Sequence, residues 1–82
     1  MNPTIPRQII LQVHKAIREK SQETLNCLSQ NESPLIRLCV AQNPNAPSWV
    51  VLSIILKDRH LWKKAEAKSA IDNYIKIAQK GN

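Results

Sequence analysis

Asn43-Pro44-Asn45-Ala46-Pro47 runs directly into Ser48-Trp49-Val50-Val51-Leu52-Ser53-Ile54-Ile55-Leu56. The second stretch has the Val and Ile content of a strand. Pro47 suits the first turn of a helix, however, and no other segment offers a strand to pair with it. We therefore read residues 47–57 as a helix. Pro44 pushes Asn43 out of the helical region and Pro47 does the same to Ala46, so residues 43–47 form a turn. Val50, Val51, Leu52, Ile54, Ile55 and Leu56 point in every direction around the helix. Such a helix is either buried on several sides or supplies an intermolecular surface.

The same punctuation organises the rest of the chain. Glycine is absent from residues 1–80, and the prolines fall at Pro3 and Pro6, at Pro34, and at Pro44 and Pro47. Helices are expected between these breaks. A first helix over residues 6–20, with Thr4 as its cap, turns Ile9, Ile10, Val13, Ala16 and Ile17 inward. A second over residues 22–29 starts at a Ser21 cap and turns Leu25, Cys27 and Leu28 inward. Ser33 and Pro34 open a third, whose inner face carries Leu35, Leu38, Cys39 and Ala41. The last helix, residues 61–80, has the stripe Ala67, Ala70, Ile71, Tyr74, Ile75 and Ala78. Leu61, Trp62 and Ala65 lie on another face, so the helix bends near Lys64 or its first turn packs elsewhere. Gly81 is a normal stop.

The chain has 82 residues with 43% hydrophobic content, which allows one domain over residues 1–82 and excludes a disordered tail. A chain of this size buries only roughly 60–65% of its unfolded surface. It is too short for a Rossmann or barrel enzyme and has no glycine-rich phosphate loop. The longest apolar run, Trp49 to Leu56, is far below the roughly 20 residues a membrane span requires. No membrane association is expected. The start of the chain does not read as a signal peptide. Two cysteines without a disulfide framework point to free thiols in a reducing, cytoplasmic setting.

Sliding the chain by 27 residues superposes Leu25 on Leu52, Leu28 on Ile55, Asn31 on Asp58, Arg37 on Lys64 and Val40 on Ala67. Residue type and order are kept, as in a degenerate repeat. The run Ile36-Arg37-Leu38-Cys39-Val40-Ala41-Gln42-Asn43-Pro44-Asn45-Ala46-Pro47, continued by Val51 to Asp58, resembles the variant leucine-rich repeat. That family's pattern is a valine–arginine pair, then alanine, valine and alanine, then asparagine-proline-asparagine-threonine-proline, then a leucine-rich helix ending near aspartate.

The resemblance implies an all-α, HEAT-like helical array of about five helices, with a repeat core over about residues 22–68 and a long C-terminal helix. It implies a binding scaffold with no shared catalytic residue and no cofactor. Ala46 stands where the family has a capping threonine, which should weaken the start of the fourth helix by about 0.5–2 kcal/mol. The turn motif occurs once, since Ala70-Ile71-Asp72 occupies the place of a second copy.

The chemistry-bearing residues do not converge. Cys27 and Cys39 are too far apart in sequence to be paired metal ligands, and we read both as buried thiols. Asp58 and His60 are neighbours in a polar segment and are expected in solvent, so no catalytic residue is assigned. The charge is more informative. The chain carries a net charge of +6, and Lys57, Arg59, Lys63, Lys64 and Lys68 cluster around Trp62. This cluster fits phosphates with an aromatic beside them. It also fits a solvated helix face, with Asp72 and Lys76 as a supporting pair. Lys63 falls in line with Ala67 and Ala70 and must reach out to solvent or an anionic partner.

Trp49 and Trp62 pack the core or anchor an interface. The expected function is non-enzymatic: a protein–protein interaction module or adaptor that binds another protein or itself, with Trp49, Val50, Trp62 and Lys63 as contacts. The alternative is a nucleic-acid-binding protein that uses the basic half.

Overall fold

Ser21 Oγ accepts a hydrogen bond from the Thr24 backbone N–H at 3.3 Å and starts a helix where the sequence places one. The computed structural model describes residues 7–80, and the expected cap Thr4 and stop Gly81 lie outside them. Five α-helices follow in order: α1 (Arg7–Arg18), α2 (Gln22–Leu28), α3 (Pro34–Gln42), α4 (Ser48–Asp58) and α5 (Lys64–Lys80). Among the described residues there is no strand. The Val- and Ile-rich segment is helical, as its proline start implied.

Helix α3 is the centre of the packing and touches α1, α2, α4 and α5, while α4 also packs along α5. Ile36, Leu38, Cys39, Val40 and Ala41 of α3 are buried, with Val50, Val51, Ile54 and Ile55 of α4, Leu25 of α2, Ala16 of α1 and Ala70 of α5. Each Leu, Ile or Val fully withdrawn from water contributes about 1.5–3 kcal/mol. The molecule measures 47 × 27 × 16 Å. Its least dimension is less than two helix diameters of about 10–12 Å. A slab this thin leaves every helix with an open side, α3 least of all.

That thinness corrects several expected inward positions. Ile10 and Ile17 of α1 and Leu35 of α3 are exposed, as is Cys27 of α2. On α5 the packed stripe uses Ile71, Tyr74 and Ile77, while Ile75 and Ala78 face solvent. The helical period is right in each case. The core subtends only part of the circumference that the apolar residues cover.

The expected long last helix is also divided. Arg59–Leu61 forms a 3-10 turn, Trp62 is extended, and α5 begins at Lys64. This accounts for the separate face of Leu61 and Trp62. Lys63 is not on the α5 stripe. It precedes the helix: its carbonyl accepts the Ala67 N–H at 2.9 Å, and its own N–H donates to Glu66 Oε1 at 3.2 Å. Glu66 thus supplies half of a capping box.

At α4 the cap differs from expectation. Pro47 is the N-cap, its carbonyl accepting the Val51 N–H at 3.1 Å, and Ala46 is one residue outside the helix with 1% of its surface exposed. Ala46 is therefore a packing residue, and a threonine there would not cap α4.

Candidate functional site

Two buried polar knots tie the helices together. Arg37 sits in the middle of α3 and is 6% exposed; Asp58, the last residue of α4, is 1% exposed. Arg37 Nε donates to Asp58 Oδ2 at 2.5 Å and Nη2 donates to Oδ1 at 2.8 Å. Nη1 donates to the Asn31 carbonyl at 2.5 Å, and the Asn31 side chain in turn accepts the Ser33 N–H at 2.8 Å. The hydrogen bond to Asp58 pushes the Arg37 guanidinium above its ordinary range; burial opposes this and the carboxylate charge adds to it. Asp58 is thus not the solvated loop residue expected beside His60.

Asn43 makes the second knot. It is 1% exposed, and its Nδ2 donates to the carbonyls of Ala16 at 2.7 Å and Glu19 at 2.9 Å, at the end of α1. Its Oδ1 accepts the Asn45 N–H at 2.7 Å. From α5, Asn73 Nδ2 donates to the Ala41 carbonyl at 2.5 Å and lies 3.3 Å from that of Asn43. The turn motif therefore satisfies the unpaired carbonyls at the end of one helix and ties α1, α3 and α5 together. The motif was legible in the sequence, but these partners were not.

Among the described residues α1 exposes Ile10, Leu11 and Ile17, and two further open surfaces lie on α4 and beside α5. On α4 the exposed apolar residues are Trp49 (60%), Leu52 (37%) and Leu56 (75%). At 100° per residue they fall within about 60° of the helix circumference, opposite the buried Val50, Val51, Ile54 and Ile55. Trp49 also borders a cleft of about 440 Å³ with Pro44, Pro47 and Ile77. Val50, expected as a contact residue, is fully buried and belongs to the core. Leu52 and Leu56 are the contact candidates that the sequence reading missed. Their signal was the spacing of Trp49, Leu52 and Leu56 at i, i+3 and i+7.

The second surface is a groove of about 420 Å³ lined by Arg59, Trp62, Lys64, Ala67, Lys68 and Ile71. It gathers three of the five cations expected to form one basic site. Lys57 and Lys63 are exposed but do not line it. Trp62 is half-buried and packs against the core, and its indole N–H is buried without an acceptor among the described residues. A buried, unpaired donor of this kind costs about 1–3 kcal/mol.

Cys39 is buried, which pushes its thiol up in pKa, and both cysteines are free. Among the described residues no three His, Cys, Asp or Glu side chains are grouped to hold a metal ion. No helix among them is long and apolar enough to cross a membrane. Comparison with protein-family models, curated proteins and solved structures finds no match.

Proposed function

We propose that this chain is a non-enzymatic helical-repeat module that binds another protein, or a second copy of itself, through the Trp49–Leu52–Leu56 face of α4. The observation that carries this reading is the position of that face, apolar and open, directly opposite the side of α4 that builds the core. Large apolar residues aligned on one helix face give a partner helix or groove regularly spaced anchors, and tryptophan is enriched among the residues that dominate such interfaces.

The repeat reading has its own support. Asn31 and Asp58, superposed by the 27-residue offset, both bind Arg37. One arginine thus joins the loop of a first unit to the equivalent position of a second. Roughly three units are needed to close a repeat core, and α1 and α5 would serve here as the flanking helices. Cys27 and Cys39 are free thiols, which suits a cytosolic protein.

Sedimentation across a concentration series, together with cross-linking capture from lysate, tests the proposal. The unmodified chain should self-associate or retain a protein partner. The Leu52→Glu/Leu56→Glu variant should lose that association while keeping its helical spectrum. Identical behaviour of the two proteins would overturn the proposal.

A further inference from the structure

The groove between the 3-10 turn and α5 has an uncommon chemical bias. Its lining side chains are one guanidinium (Arg59), two ammonium groups (Lys64 and Lys68), one indole (Trp62) and two apolar groups (Ala67 and Ile71). None is an acid, an amide or a hydroxyl, so the lining side chains can donate hydrogen bonds but offer no oxygen to accept one. A peptide, with an amide donor at almost every residue, would find no side-chain acceptor here. The complementary occupant carries acceptors and negative charge at one end and a flat, weakly polar face at the other.

Lys64 sits in the first turn of α5, where the helix dipole favours negative charge and a cation is out of place. Lys68 lies four residues on, about 6 Å along the same side of the helix. An anion across these two lysines and Arg59 would relieve the crowding of like charges and meet the positive end of α5. The apolar floor beside them, from Trp62 to Ile71, is of a kind on which a base can stack. The volume of about 420 Å³ falls in the range of small-ligand pockets.

We infer that this groove binds a nucleotide unit of single-stranded nucleic acid, with phosphate on Arg59, Lys64 and Lys68 and the base against Trp62 and Ile71. A duplex keeps its bases stacked and cannot place one on that floor. The site is separate from the Trp49–Leu52–Leu56 face, and neither proposal depends on the other.

The test uses the full chain carrying Trp49→Phe, which leaves Trp62 as the sole tryptophan. An oligothymidylate of about ten nucleotides is titrated at about 0.15 M salt, where unspecific attraction is screened. Saturable quenching of Trp62 is expected, with affinity falling at least about tenfold in Lys64→Glu/Lys68→Glu. The Lys15→Glu/Arg18→Glu variant, with the same change of net charge on α1, should lose markedly less.

Equal losses in the two variants would overturn the inference, as would equal affinity for a duplex. So would equal quenching by heparin or polyglutamate, which would define a general polyanion surface or an acidic-peptide site. Quenching by thymidine monophosphate but not by the strand would replace the strand with a free nucleotide.

Discussion

Arg37 and Asp58, 21 residues apart in sequence, meet in a buried two-point ion pair that joins the middle of α3 to the last residue of α4. The third arm of the guanidinium holds the loop before α3 through Asn31. Withdrawing both charges from water is costly, and their mutual contact offsets that cost only while both are present.

Arg37→Met alone, or Asp58→Leu alone, should therefore destabilise the fold by about 3–5 kcal/mol, because each leaves an unpaired buried charge. The double variant should recover most of that loss. Urea unfolding of the four proteins in a cycle checks this, and additive losses would mean that the two side chains do not act as a pair. Since Arg37 is pushed above its ordinary range by Asp58, rising pH should weaken its contribution only beyond the ordinary arginine value.

Asn43→Ala removes the donor shared by the Ala16 and Glu19 carbonyls. A destabilisation of about 2–3 kcal/mol is expected for the stranded acceptors. It should be concentrated at α1: amide hydrogen exchange in the second half of α1 should accelerate more than exchange in α4. Uniform acceleration would show that the turn does not specifically secure α1.

Ala46→Thr should lower the melting midpoint, against the expectation from the sequence pattern. Position 46 is buried outside α4, with Pro47 at the cap. A hydroxyl there loses water without reaching the first turn, at a cost of about 1–3 kcal/mol. Calorimetry decides, and a rise in the midpoint would place the cap at position 46 after all.

Cys27 and Cys39 should separate chemically. Cys27 is exposed and Cys39 buried, so a thiol reagent should titrate one group at once and the second only after unfolding. Burial raises the folded-state pKa of Cys39, and the folded state therefore holds its proton where the unfolded state has lost it. Stability should fall as pH rises above the ordinary thiol value of about 8.5, by up to about 1.4 kcal/mol per pH unit. Cys39→Ala should lack that component, and identical pH profiles for the two proteins would remove Cys39 as its source.

Helix placement was largely readable because its causes are local. Ser21, Pro34 and Pro47 act on backbone groups within a turn of themselves, and all three stand where a helix begins. Burial was less readable. Ile10, Ile17, Leu35 and Ile75 have the right period, yet they lie beyond the arc that the neighbouring helices cover. Arg37 left a faint trace as a lone charge in the apolar run Leu35 to Val40, and Asp58 left one by aligning with Asn31. Neither trace named the other as its partner. Of the basic cluster, the sequence displayed five cations near Trp62, and folding brought Arg59, Lys64 and Lys68 to one groove with it.

The order of residues by itself determined an all-helical chain, the turn at Asn43–Pro47 and a surplus of apolar and basic side chains, because propensity, capping and proline sterics act over a few neighbouring residues. Tertiary structure alone decided that Asp58 is buried against Arg37, that Asn43 closes α1, and that Trp49, Leu52 and Leu56 stay in water. Those outcomes depend on which helices pass within contact distance, and a slab 16 Å thick has too little interior to enclose every apolar face its helices present.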